Sequence, residues 1–421
     1  MNDPAAASAR PDAYAALRLP EFRSLLAGVF LFTIGLLVQE VVIGYQLYRV
    51  THDPLVLGLV GLAEAVPFIS LALFGGHIAD RHDKRAIMLL AMGCFIVGSG
   101  ILLWDFSAQA HHLLSQTPRL LIIYAVIALL GLARGFFSPA AGSLKALLVP
   151  RELYSNSSAW SSTAWQGGAI VGPAAGGFLY AGIGLEGALW TVVGLLAVAT
   201  LLFARIRSRP PIPDPDGDED SIWESLREGI AFVRGTPLIL YSISLDLFSV
   251  LFGGVVAILP VFATDILHVG AEGLGVLRAA PSLGAMLTLF ACAHYPPTVK
   301  AWRNLLLAVT GFGLATLVFA LSQNIWLSIV ALFATGVFDA VSVVIRQTVL
   351  QIMPPDHLRG RVVAVNSIFV SSSNELGAFE SGVAARLMGT VLSVVVGGSA
   401  TLLTALYVWR RSRALFSLRL L

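Results

Sequence analysis

Apolar runs of about 20 residues, each long enough to cross a bilayer core as a helix, recur along the chain with polar interruptions between them. Twelve can be marked, over 22–48, 55–79, 85–104, 120–147, 155–180, 183–204, 238–263, 274–295, 301–321, 325–350, 362–387 and 391–409. The interruption after Tyr180 is so short that the fifth and sixth runs must form an antiparallel hairpin, its turn falling before Ile183. One interruption is much longer. After Arg205, Arg207 and Arg209 the chain becomes proline-rich over 210–215 and then acidic at Asp216, Asp218, Glu219 and Asp220. Ser221 followed by Glu224 has the spacing of a capping box, and Ile222, Trp223, Leu226, Ile230 and Val233 recur at helical intervals. That pattern predicts an amphipathic helix lying on the cytoplasmic membrane face. The expected organisation is an all-α integral membrane protein, with twelve transmembrane helices in two pseudo-symmetric six-helix bundles over 22–204 and 238–410. A cytoplasmic tail (1–21) precedes them, a cytoplasmic linker (205–237) joins them and a second tail (411–421) follows.

Composition agrees with lipid as the solvent. Of the residues, 57% are hydrophobic and only 12% charged, about half the charge of a soluble domain. A net charge of +2 argues against bulk attraction to nucleic acid. No apolar core ahead of a small-residue cleavage site occurs in the first 20 residues, so the first run itself directs insertion. Of the 27 Lys and Arg, 21 fall on one side, in the two tails, the linker and the even-numbered turns or at the run ends beside them, which places both termini in the cytoplasm. Cys94 and Cys292 lie inside apolar runs at no metal or redox spacing and read as packing residues. The eight His offer no metal geometry, and no nucleotide, dinucleotide or hydrolase motif is present. No metal, cofactor or enzyme activity is expected, and energy for any transport must come from an ion gradient.

The two halves echo each other. Leu57-Gly58 matches Leu274-Gly275, and His77 falls on His294. Further on, Val149-Pro150 aligns with Met353-Pro354, Val171-Gly172 with Leu376-Gly377, and Gly177 with Gly382. A parallel six-plus-six repeat places a site between the halves near the membrane midplane.

Four local patterns carry more specific information. The turn after the second run contains Gly76, Asp80, Arg81, Lys84 and Arg85, in which a small residue permits close helix approach and the basic cluster anchors the cytoplasmic interface. This stretch resembles the loop signature of the major facilitator superfamily, with Asp83 where that family usually has Gly. The fifth run reads Gly168-x-x-x-Gly172-Pro173-x-x-Gly176-Gly177, a proline-kinked helix with a small-residue face. It is similar to the motif that marks proton-driven exporters in the superfamily. Arg134, within Leu129-Leu130-Gly131-Leu132-Ala133-Arg134-Gly135, resembles the buried Arg of drug:proton antiporters. The 354–361 stretch, from Pro354 to Arg361, is similar to the superfamily's turn between spans ten and eleven. Together these resemble the branch holding enterobactin-type siderophore exporters and macrolide efflux proteins.

Nine ionisable groups lie well inside the runs, away from their ends: Glu40, Glu64, Asp246, Asp339, Glu375, Glu380, Arg134, Arg278 and Arg346. Each costs about 2.5 kcal/mol or more at the bilayer centre, so the set calls for pairing, a wet cavity or protonation. Candidate proton-coupling residues are Glu40, Glu64 and Arg134, with Asp246, Asp339 and Glu375 in the second half. Glu40 and Glu64 are the expected partners of Arg134. Asp339 and Arg346 share a helix face and can form an ion pair, while Glu380 and Arg278 lie nearer the outer end. Substrate contact is expected from Tyr45, Trp165, Gln166, Phe248, Phe338 and Asn374.

The resemblance implies a secondary active transporter, a proton-coupled exporter of a small amphipathic molecule working by alternating access. The expected setting is the bacterial cytoplasmic membrane, with a small-molecule substrate, protons and the lipid bilayer as partners and the chain as a monomer. The same architecture also serves lipid or lysolipid flippases and importers. A ligand-binding membrane receptor is the alternative outside transport.

Overall fold

The computed structural model describes residues 12–209 and 222–417. The start of the N-terminal tail, the prolines of 210–215, the acids Asp216, Asp218, Glu219 and Asp220, the capping residue Ser221 and the end of the C-terminal tail lie outside the described residues. In chain order the helices are α1 (Pro20–Thr51), α2 (Pro54–Arg81), α3 (Lys84–Asp105), α4 (Ala108–Leu113), α5 (Gln116–Leu148), α6 (Tyr154–Ala204) and α7 (Ile222–Gly235). There follow α8 (Pro237–Gly253), α9 (Leu259–Val261), α10 (Gly270–His294), α11 (Ala301–Leu321), α12 (Ile325–Ile352), α13 (Asp356–Met388) and α14 (Thr390–Arg411). Proline opens α1, α2 and α8, where its missing N–H is no loss. Asp53, Asp83 and Asn324 cap α2, α3 and α12 by accepting backbone N–H bonds.

Among the described residues, ten helical segments are long and apolar enough to cross a membrane. The segment containing α6 makes two crossings, because Gly184 interrupts it with φ 73° and ψ −179°, a backbone conformation essentially restricted to glycine. The turn therefore falls one residue after Ile183 and not before it. α13 supplies the twelfth crossing. It is the polar one, carrying Asn374, Glu375 and Glu380, and it faces protein along part of its length: Gly58 and Gly61 of α2 lie against its Ala378, Phe379 and Gly382.

The seventh crossing is broken where a continuous helix is expected. α8 ends at Gly253, and the chain passes through Gly254 and a 3₁₀ turn (Val256–Ile258) before α9 and a π turn (Phe262–Ile266). The Gly254 carbonyl freed by this break accepts a 2.9 Å hydrogen bond from the Ser381 hydroxyl of α13. Irregular backbone at membrane depth is tolerated where it is satisfied by protein or lines a cavity, and Gly254 does both.

The amphipathic helix forms as α7, but its apolar side is covered by protein and not by lipid. Val233 is buried in the apolar cluster of the second half, Leu226 and Ile230 pack against that cluster, and Gly229 lies beside the Arg361 backbone of α13. Glu228 and Arg361 form an ion pair across the same contact. The side chains of Ile222 and Trp223 lie outside the described part of the structure.

Apolar packing shows where the halves join. One buried cluster runs from the first half (Val38, Val41, Leu189) into the part of the second half remote from the linker (Phe262, Leu274, Phe319). A separate cluster, centred on Trp302 with Ile239, Leu305 and Val362, fills the linker end of the second half. The halves are thus welded by apolar contacts at the end away from the linker.

Candidate transport site

Close backbone contact closes the end away from the linker. A side chain at Gly58 would have its Cβ 3.0 Å from the Gly382 Cα, and one at Gly275 would sit 3.1 Å from the Gly177 Cα. These are one contact made twice, because the internal repeat matches Gly58 with Gly275 and Gly177 with Gly382. Around them lie ion pairs and hydrogen bonds between the halves: Arg386 of α13 with Asp53 at the start of α2, and the Tyr48 hydroxyl of α1 with Asp265. Within the first half, the Tyr180 hydroxyl donates to Gln46 at 2.5 Å and accepts from Arg49 at 3.2 Å.

The proline-glycine motif of α6 divides between two faces. Gly168, Gly172 and Gly176 lie against Thr33, Leu37 and Val38 of α1, inside the first half. Gly177 instead faces Ala271 and Gly275 of α10, and the Pro173 carbonyl approaches Gly275 from the same side. One segment thus sets both the packing of its own bundle and the approach of the other.

Below this closure, about 15 Å along α2 from its first turn, five charges gather. Arg134 of α5 donates to Glu64 of α2 at 2.8 Å and lies 3.7 Å from Glu375 of α13 in the other half. Its guanidinium carbon also stands 5.4 Å above the Phe68 ring, a cation–π contact. Gly131 makes the Glu64 contact possible. It sits three residues before Arg134, and a side chain there would lie 3.1 Å from the Glu64 Cα, so α5 can approach α2 only without one. Glu40 of α1 pairs with Arg278 of α10, again across the halves, and both act electrostatically on Glu64. Three carboxylates therefore share two guanidinium groups.

This arrangement revises two expected pairings. Glu64 is a partner of Arg134, but the second partner is Glu375, while Glu40 has its own arginine. Arg346 pairs with Asp246 of α8 and not with Asp339, because two helical turns separate Asp339 from Arg346 by about 10 Å along α12. The Asp246 and Arg346 side chains are 6% and 3% exposed. Among the described residues Asp339 has no ion pair or hydrogen bond, and Asp246 and Arg346 act on it through space.

A cavity of about 430 Å³ lies beside this second cluster, lined by Asp246, Asp339 and Arg346, by Gln166 of α6 and by Asn374 of α13. Of the residues expected to contact substrate, Gln166 and Asn374 are in this wall. Phe338 lines a small neighbouring cavity with Asp339 and Ser342. Tyr45 lines a different cavity, at the closed end, with Gln46, Arg49 and Tyr180. Trp165 and Phe248 line neither: Trp165 is exposed, and Phe248 stacks on Phe252 at 6.2 Å. Glu380 lines a small cavity with Phe252 and Ser381.

At the linker end, the α2–α3 turn is tied to the end of α6. The Asp83 carboxylate caps α3 through the Arg85 N–H (3.0 Å) and accepts the Ser208 hydroxyl, and Arg85 donates to the Ala204 carbonyl at 2.8 Å. Asp83 has φ −62°, so the turn needs no glycine there. Arg81 is exposed and Lys84 half-buried. Gly76 and Asp80 belong to the α2 backbone, and their side chains lie outside the described part of the structure. The inter-half pairs involving Glu40, Tyr48 and Asp53 escape sequence reasoning because their partners are more than 200 positions away and no local spacing marks them.

Residues 25–378 match the profile of the Major Facilitator Superfamily. The chain belongs to this superfamily. Curated relatives include the Enterobactin exporter EntS of Citrobacter koseri, 28% identical over 92% of this chain and 90% of the relative. EntS of Escherichia coli O1:K1 is 28% identical over 91% of this chain and 90% of its own length. Among solved structures, a POT family transporter in complex with 5-aminolevulinic acid superposes with a TM-score of 0.73 at 10% identity, covering 93% of this chain and 96% of the other. A D-xylose-proton symporter gives 0.70 at 13% identity, covering 96% and 99%. At such identities the structures speak for the fold alone, and that fold is the superfamily's pair of six-helix bundles. The resemblance to the superfamily is borne out, and this member is an integral membrane transporter.

Proposed function

We propose that the chain is a proton-coupled exporter of a small amphipathic molecule, siderophore-like or drug-like, working by alternating access in the bacterial cytoplasmic membrane. The observation that carries this is the five-charge set, in which Glu40, Glu64 and Glu375 share Arg134 and Arg278 and two of the pairs cross between the halves. Parting the halves at the closed end breaks the Arg134–Glu375 and Glu40–Arg278 contacts together. The carboxylates so exposed bind protons, and once neutral they no longer draw the arginines back. The halves close again with the protons aboard, the protons leave once the cavity faces the other side, and the re-formed pairs then hold the end away from the linker shut. Asp246 and Asp339 are the second-half acids that sense the cargo.

Direction follows from three supports. The excess of Lys and Arg in the tails, linker and even-numbered turns puts those elements in the cytoplasm, so the closed end is external and the cavity is loaded from within. The two-faced α6 motif places a glycine of the exporter-type signature in the external closure. The relatives at 28% identity are named as exporters. The Asp83–Arg85 turn acts as a latch on the first bundle, with Asp80, Arg81 and Lys84 beside it, and one chain supplies the whole pathway, so the monomer is the working unit.

The test is transport into proteoliposomes of purified protein under an imposed pH gradient. Coupled movement of a siderophore or drug should stop when the gradient is collapsed, and Glu64→Gln and Glu375→Gln should uncouple it. Transport indifferent to the gradient, or unchanged in both variants and in Glu40→Gln, overturns the proposal.

A further inference from the structure

The repeat brings Arg134 and Asp339 to equivalent places. They are separated by the same spacing that separates Gly131 from Gly336 and Gly177 from Gly382. Gly336 does on α12 what Gly131 does on α5, since a side chain there would lie 2.7 Å from the Pro281 Cα of α10. Each ionisable residue thus sits three positions after a glycine that presses its helix onto a neighbour. The chemistry then diverges. In the first half the neighbour offers Glu64, and Arg134 is neutralised. In the second half the neighbour offers Pro281 and Ser282, and Asp339 meets no cation on that helix. The nearest cation, Arg346, is already engaged by Asp246. With Arg346 engaged by Asp246, the Asp339 carboxyl stands in the cavity wall without a counter-charge of its own whenever it is ionised.

The rest of the wall suits an amphipathic guest. Val250, Leu289, Phe312, Leu332 and Val343 supply an apolar surface, and Gln166 and Asn374 add neutral hydrogen-bonding groups. The buried Nε–H of Arg346, in the same wall, has no acceptor among the described residues. A buried charge without a counter-charge is costly, and a ligand cation that supplies one gains what the protein lacks.

We propose that this cavity recognises an organic cation, an amphipathic solute whose ammonium group is held by Asp339 while an acceptor oxygen meets Arg346. This narrows the cargo of the exporter proposed above and rests on that function only for the step from binding to transport. The charge it recognises is carried by the cargo itself, and the first-half set remains the seat of coupling.

The probe is a matched fluorescent pair, dansylcadaverine, whose primary amine is charged at about pH 7, and N-acetyl-dansylcadaverine, the same molecule without the charge. Binding is read from dansyl fluorescence with the full-length protein in nanodiscs. The amine should bind about 10-fold or more tightly than its acetylated form, as a charge-assisted hydrogen bond in a dry site requires. Asp339→Asn, isosteric and checked for folding by gel filtration and thermal unfolding, should abolish that preference. Val343→Phe, which fills the cavity one turn along α12 and leaves the carboxylate intact, should weaken both probes. Equal binding of the two probes to the native protein, a preference that survives in Asp339→Asn, or binding untouched by Val343→Phe overturns the proposal. Failure of the coupling scheme looks different: an Asp339-dependent preference for the amine with no response of transport to a pH gradient upholds this site and overturns the proton-coupled reading.

Discussion

Replacing Gly382 by alanine perturbs the closure at the end away from the linker, where α13 presses on α2. A Cβ there would stand 2.6 Å from the Gly58 Cα and 2.9 Å from the Pro54 carbonyl oxygen. Non-bonded carbons rest at about 3.5–4.0 Å, so α2 and α13 must part by about 1 Å. Both obstructing atoms are backbone, and no rotamer change relieves them. Overpacking of this kind costs about 1–3 kcal/mol, and the cost falls only on the state in which this end is closed. A two-state equilibrium then shifts by roughly 5–150-fold toward the state in which it is open. Gly177→Ala should act alike, since its Cβ would meet Gly275 at 3.0 Å and it occupies the repeat-equivalent position. Gly93→Ala and Gly142→Ala are the controls, as a Cβ at either position meets nothing within 4 Å.

The assay is double electron–electron resonance on spin-labelled protein with Cys94 and Cys292 replaced. One label pair, at the exposed Ile183 and Leu387, reports the closed end, and a second, at the exposed Arg151 and Met353, reports the linker end. Both glycine variants should lengthen the first distance and shorten the second. Unchanged distances in folded Gly382→Ala and Gly177→Ala, or equal changes in the Gly93 and Gly142 controls, would refute the assignment of these glycines to the closure.

Three further outcomes follow from the charges. Arg134→Met leaves Glu64 and Glu375 facing each other without a counter-charge and should cost about 3–5 kcal/mol, read as a lowered thermal unfolding midpoint, with much of the loss recovered by adding Glu64→Gln. Arg278→Gln removes the other crossing pair and should lengthen the Ile183–Leu387 distance, while the swap Glu40→Arg with Arg278→Glu should restore it. Glu21 lies ahead of the first apolar run, where the Arg207 backbone N–H, and then the Arg209 side chain, hold its carboxyl below the ordinary value of 4.5. A lowered folded-state value means stability that is present above that pH and disappears as pH falls through the folded value. Glu21→Gln should therefore destabilise by about 1 kcal/mol or less at neutral pH, with the gap to the native protein closing below about pH 4 in the same unfolding assay.

The twelve crossings were legible because a bilayer demands long apolar runs, and even the polar eleventh span stood out between its turns. The break after Gly253 was not, since glycines inside an apolar run are ordinary in membrane helices and only the Ser381 bond to Gly254 reveals this one as a terminus. The α7 pattern announced an amphipathic helix but not its cover: an apolar stripe reads the same whether lipid or α13 lies beneath it. The scarcity of charge singled out residues that the structure brings together in clusters, and Glu64 as a partner of Arg134. It could not show that Glu375 completes the set, because that contact depends on how two bundles meet and not on any spacing along one helix.

That meeting gives α13 a particular place in the proposed cycle. Asn374 lines the cargo cavity, Glu375 faces Arg134 across the halves, and Gly382, two turns further on, abuts Gly58 in the closure. One rigid helix therefore touches the cargo, the coupling charges and the gate. Cargo pulling on Asn374 cannot shift it without changing the Arg134–Glu375 separation, already 3.7 Å and so sensitive to small movement. No chain of side chains is needed between site and gate if the element itself moves as a unit, and backbone contact at both Gly382 and Gly58 leaves it two discrete positions, pressed together or parted, with little between them. The pseudo-symmetric counterpart of that helix, the first crossing of α6, carries Gly177 to the equivalent closure but no acid at the place of Glu375. The two halves are thus alike in backbone and unlike in charge, and in the proposed cycle the asymmetry separates coupling on the Arg134 side from recognition on the Asp339 side.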